Sequence, residues 1–120
     1  MKQEKEFFDT TAMPWQPVDD SPGVSERVLS RSNDVILTRL ARWDAGRDTT
    51  PTGIIRHDYF EEVYLLEGEL TDLTLGRTFH AGEYACRPVG MPHGPYRTGP
   101  GCLMLEVRYP ATQALPETPA

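Results

Sequence analysis

Eleven prolines and ten glycines recur at short intervals along a chain of 120 residues. Proline removes a backbone donor and glycine releases the chain into turns, so this punctuation is hard to reconcile with long helices and natural for short strands joined by turns. An all-β reading follows. The strongest strand patterns are VILTRLARW, from Val35 to Trp43, and CLMLEVRY, from Cys102 to Tyr109. In the first, Val35, Leu37, Arg39, Ala41 and Trp43 share one face, because side chains alternate along a strand.

Weaker strands are expected at Glu26 to Ser30, Leu70 to Leu75, Thr78–Phe79 and along EYACRP after Gly82. DAGRDTTPTG, residues 44 to 53, reads as a loop, and TTAMPWQPVDDSPG, residues 10 to 23, as an extended cover for a sheet edge. Eight or so closely spaced strands with nowhere to hide an edge predict a closed sandwich or small barrel. The reading divides the chain into an N-terminal extended segment at 1–24, one barrel domain at 25–110 and a flexible tail at 111–120, in keeping with a length that suits a single core.

RHDYFEEVYLLEG, residues 56 to 68, fits two patterns. Tyr59, Val63 and Leu66 recur at helical spacing, which would stack His57 on Glu61. Against the helix stand the absent Ser, Thr or Asn cap, the β-branched and aromatic residues and the Gly-Glu turn beside it. As a strand, the run places Glu61, Val63 and Leu65 inside and Glu62, Tyr64 and Leu66 outside. Residues four apart on a straight strand are separated by about 13 Å. If His57 and Glu61 act together, the chain must therefore bend or bulge within Asp58 to Phe60.

A net charge of −6 without a basic cluster argues against nucleic acid and anionic membranes as partners. No run approaches the roughly 20 apolar residues of a membrane span, and MKQEKEFFDT lacks the apolar core of a signal peptide, so the expected location is the cytoplasm. Cys86 and Cys102 form no CxxC pair and are read as buried free thiols.

GEYACRPVGMPHGPYR places Gly82, Pro88, Gly90, His93 and Arg97 at the spacing of the second motif of the cupin superfamily, and the chain resembles that superfamily. The motif's last position is usually Asn; here it is Arg97. In the first motif His57 matches the second histidine, Glu61 the glutamate and Gly68 the closing glycine. Ile55 stands where the first histidine belongs and Thr49 where the opening glycine belongs. The chain is also similar to the zinc-binding cupin-like domain of certain bacterial anti-sigma factors. No anti-sigma helical segment precedes the motifs, so that regulatory role is not carried over.

The resemblance implies a double-stranded β-helix, the cupin jelly-roll barrel, with a divalent metal (Zn, Fe, Mn or Ni) held by His57, Glu61 and His93. Two imidazoles and a carboxylate suit such ions and leave positions open for substrate. Tyr96, Arg97 and Glu106 are the candidates for a catalytic role. Each has a structural alternative: Tyr96 and Trp43 as core, Arg97 as a rim ion pair, Glu106 turned to solvent and paired with Arg108, which is the side favoured here. His80, out of phase with the motif, is expected to be exposed.

Three functions remain open: a metal-dependent enzyme of dioxygenase or isomerase type acting on a small organic molecule, a metal- or ligand-sensing module, and a metal-free pocket protein. Tyr64 and Leu66 on the outer face give a reason to expect a homodimer.

Overall fold

The alternating segments form strands that curl around one apolar interior. The computed structural model describes residues 1–111, and the expected tail lies, apart from Ala111, outside the described residues. Among these there are eight strands: β1 (Gln16–Pro17), β2 (Val24–Arg31), β3 (Leu37–Trp43), β4 (Tyr59–Asp72), β5 (Arg77–His80), β6 (Tyr84–Arg87), β7 (Tyr96–Arg97) and β8 (Cys102–Pro110). All pairings are antiparallel, in the order β1-β2-β3-β8-β4-β5, with β6 and β7 also on β4. The ladder does not close on itself hydrogen bond by hydrogen bond, yet the all-β jelly roll is the one expected. No helix of the described residues is long and apolar enough to cross a membrane.

β4 organises the molecule. Its first part pairs with β8 and β6 and its last four residues with β5 and β7, so one strand serves both walls. The passage between them is a bulge between Leu65 and Glu67, followed by Gly68 at φ +83°. A Cβ at Gly68 would overlap the Gly101 carbonyl oxygen and crowd the Cys102 Cα, so only glycine lets β4 approach that turn. Val63, Leu65, Leu70, Tyr96, Cys102 and Met104 pack as the core, with Trp43, Phe79 and Ala85 against them.

Several boundaries differ from the sequence reading, for local reasons. Val35 and Ile36 fall before β3 because the Asn33 side chain accepts both their amides in a turn. Leu70 begins no separate strand: it continues β4, which ends at Asp72, whose carboxylate accepts the Thr74 and Leu75 amides and starts the turn early. The 10–23 segment does contribute an edge strand, β1, against β2.

Both thiols were expected to be buried. Cys102 is, but Cys86 is exposed, because Ala85 and Arg87 take the inner phase of β6 and leave Cys86 opposite Glu62 on the outer face. His80 is exposed, as expected.

Candidate metal centre

RHDYFEEVYLLEG is strand rather than helix. The chain bends at Asp58, within the stretch where a bend or bulge was expected; β4 starts at Tyr59, two residues earlier than the expected Glu61, and a separate bulge falls at Leu66. Across this bend a ring nitrogen of His57 comes within 4.8 Å of a carboxylate oxygen of Glu61. His93 arrives on a separate segment, fastened by reciprocal hydrogen bonds between its backbone and that of Ile55 (2.8 and 2.9 Å). The Gly90 amide adds a bond to the His57 carbonyl at 2.9 Å, and the Gly94 amide donates to Asp72 Oδ2 at 3.2 Å. The positions where this chain departs from the motif therefore still serve it. Ile55 supplies the backbone bridge that aligns the two histidines.

Thr49 has a comparable role, which the sequence reading missed. Its backbone amide donates to the Tyr96 carbonyl at 2.8 Å and its hydroxyl accepts the Tyr96 amide at 2.7 Å, with Thr49 itself buried. Tyr96 is thereby held in the core, where its hydroxyl meets His93 Nδ1 at 3.0 Å and accepts from Arg87 Nη2 at 2.7 Å. Tyr96 thus both packs in the core and lines the cavity.

One donor atom each from His57, Glu61 and His93 lies within 4.8 Å of the others. Glu61 is 4% and His93 8% exposed, and His57 is half-buried, stacked on Tyr59 with ring centres 4.5 Å apart. The two imidazoles face each other at 4.9 Å. Burial first, then the positive charge of Arg87, holds His93 down at about 4. His57 is also lowered, mainly by burial, with Glu61 opposing and Arg108 and Arg87 adding to the effect. Both rings are therefore neutral near pH 7, with a lone pair available. His93 Nε2 is buried and has no hydrogen-bond partner among the described residues.

Glu61 sits between two arginines, Arg87 Nη1 at 2.9 Å from Oε1 and Arg108 Nε at 3.1 Å from Oε2. Burial pushes its carboxyl up, and the two guanidinium groups outweigh it, leaving the pKa below the usual range. Glu106 was expected to turn to solvent. It is instead 5% exposed and points inward, because it shares the phase of Met104; Arg39 reaches it at 2.9 Å and also holds Glu26 at 2.9 Å. An interior charge is tolerated when fully paired. Arg97 is exposed, does not line the cavity and makes no ion pair among the described residues, so it forms neither the expected rim pair nor part of the site. Arg39, Arg87 and Arg108 went unnoticed as a set; their signal was the inward phase they share with Ala41, Ala85 and Met104.

The cluster opens on a cavity of about 260 Å³, lined also by Trp43, Arg47, Ile55 and Tyr96. A smaller apolar chamber of about 140 Å³ shares Arg87, Leu70 and Met104 with it.

Comparison with known proteins places the fold and the family. The family described as ChrR Cupin-like domain matches residues 3–112. An RmlC-like cupin from Shewanella frigidimarina superposes with a TM-score of 0.68 at 21% identity, over 94% of this chain and 97% of that one. An acetylacetone dioxygenase from Acinetobacter johnsonii gives 0.70 at 17%, over 88% and 74%. The anti-sigma ChrR of Rhodobacter sphaeroides, solved with SigE, gives 0.62 at 19%, and the match covers 84% of this chain but 52% of that one. No curated protein matches. With 110 consecutive residues matched and the jelly roll shared, the chain belongs to the ChrR cupin-like domain family of cupins.

Proposed function

We propose that this cupin seats one divalent metal ion on His57, Glu61 and His93 and presents it to a small organic molecule in the adjoining cavity. The observation that carries the reading is His93 Nε2, a buried nitrogen without a hydrogen-bond partner among the described residues, in a ring grouped with a second neutral imidazole and a carboxylate. An unpartnered buried polar atom is costly, and a metal bond removes the cost. When Nδ1 carries the proton and donates it to the Tyr96 oxygen, the Nε2 lone pair is the free one. Arg87 and Arg108 each take one lone-pair site of Glu61, and a carboxylate has about four, so coordination remains open to it.

A divalent ion held there would supply Lewis-acid polarisation of a carbonyl, or activation of water or oxygen. The chain itself holds Glu61 ionised, fixes the His93 ring through Tyr96 and the His57 ring through Tyr59, and puts an apolar side chain at Ile55 where a further ligand would otherwise fill a coordination position. The similarity to an acetylacetone dioxygenase supports an enzyme acting on a small molecule by dioxygenase- or isomerase-like chemistry. The family itself supports a second reading, a sensor in which metal or ligand is held without turnover. In either reading no nucleic acid or membrane is engaged, and two copies pair in the cytoplasm through the outer sheet face.

The test is elemental analysis of protein purified without a nickel column. About one equivalent of a divalent metal per chain is expected. Failure to retain zinc, iron, manganese or nickel after loading overturns the metal reading; bound metal with oxygen consumption on a diketone substrate separates enzyme from sensor.

A further inference from the structure

Three of the four arginines lining the cavity are closed by carboxylates: Arg39 by Glu26 and Glu106, Arg87 by Glu61, Arg108 by Glu61 and Glu106. Arg47 is not. Its Nε donates to the Pro22 carbonyl at 3.1 Å, and neither Nη atom has a hydrogen-bond or ion-pair partner among the described residues. Asp20, the remaining carboxylate on the lining, is exposed and makes no ion pair with it.

The Arg47 guanidinium carbon lies 4.1 Å from the centre of the Trp43 ring. Trp43 meets Tyr96 edge-on at 6.0 Å, and Tyr96 contacts His93 through its hydroxyl. An aromatic wall therefore runs from a free planar fork to the His-Glu-His cluster within one cavity. Burial pulls the Arg47 pKa below its ordinary value, and the charges of Cys102 and Glu106 oppose that shift without reversing it. With Cζ seated over the indole and Nε on the Pro22 carbonyl, the two Nη groups are the donors left for a ligand.

We infer that the cavity takes a small organic carboxylate, its anionic group accepting a fork of hydrogen bonds from Arg47, its body lying along Trp43 and Tyr96 toward the His57, Glu61 and His93 cluster. The inference rests on the reading of this cavity as a small-molecule chamber. It names Arg47 as the residue that sets the substrate's charge. A divalent ion at the cluster would add further positive charge to the cavity and favour the same ligand.

The experiment titrates the zinc-loaded full chain with acetate, benzoate and succinate, and with the corresponding amides, following backbone amide chemical shifts. At least one carboxylate should bind about tenfold or more tightly than its amide. Arg47→Gln should lose about tenfold of that affinity and Arg47→Lys should recover part of it, with wild-type zinc content in both. Equal affinity for acid and amide, no carboxylate binding across all three pairs, or unchanged affinity in Arg47→Gln overturns the inference. So does a carboxylate preference that survives Arg47→Gln and vanishes in His93→Ala, which would place the anion on the ion. A chain that binds no zinc but retains an Arg47-dependent preference removes the metal reading and leaves this one standing.

Discussion

Glu61 on β4 and Arg108 on β8 are direct cross-strand partners, and their side chains meet inside the barrel with Nε 3.1 Å from Oε2. Arg87, the partner of Glu61 on β6, closes the other oxygen. Arg39 and Glu106 are likewise opposed across β3 and β8. Strand register thus lays out an alternating row of charges along the inner wall. Each is in place because the next one is.

Removing one member should expose what the row is worth. Glu106→Ala leaves Arg39 with only Glu26 and deprives Arg108 of a neighbour; a loss of about 3–5 kcal/mol in urea unfolding is expected. Replacing Arg39 and Glu106 together by Met and Leu should cost distinctly less than the sum of the single changes, because both partners of that ion pair leave at once and only the carboxylate of Glu26 loses its arginine. Additive losses would contradict the pairing.

His93→Ala should remove most of the bound metal, since it deletes the orphan Nε2. Ile55→His should tighten binding by restoring a ligand at a position already bridged to His93. Metal content unchanged in both variants would refute the ligand set.

Gly68→Ala should be far more damaging than Gly76→Ala. Both glycines have positive φ, which costs an alanine roughly 1–2 kcal/mol. Around Gly76 nothing lies within 4 Å, whereas at Gly68 the new methyl collides with backbone at Gly101 and Cys102. Thermal unfolding of the two variants compares them directly.

Alkali should weaken the fold through Cys102. Burial first, and the charge of Glu106 second, push this thiol up to about 11, against an ordinary value of 9.0. The folded state therefore binds the proton more tightly than the unfolded one. Its contribution is full below pH 9 and is lost as pH rises toward 11. The urea midpoint should fall over that window, and Cys102→Ala should flatten the fall. In native protein a thiol reagent should label the exposed Cys86 rapidly and Cys102 only on unfolding.

The outer face offers Tyr64, Leu66 and Tyr84, at 43%, 38% and 56% exposure. If two copies pair there, Tyr64→Glu combined with Leu66→Lys should convert a dimer to a monomer in sedimentation. A wild-type monomer, or a dimer that survives both changes, would remove this face as the interface.

Much of this was legible in the chain itself. Proline and glycine spacing ruled out long helices, period-two alternation marked the faces of β3, β4 and β8, the registered Gly, Pro, Gly and His of the second motif pointed to His93, and the match to the first motif pointed to His57 and Glu61. Those signals are local or one-dimensional, and local backbone preference is enough to set them. What they could not convey was pairing between strands distant in sequence. Alternation placed Glu106 in phase with Met104, but whether that phase faced water or the interior depended on Arg39, which lies 67 residues away. The bulge at Leu66 likewise goes with the close approach of Gly68 to Gly101, on a turn far along the chain. Sequence by itself determined which residues could share a face; the tertiary structure decided which faces turned inward and which charges found partners there, because the stability of a buried ion depends on its neighbours in space.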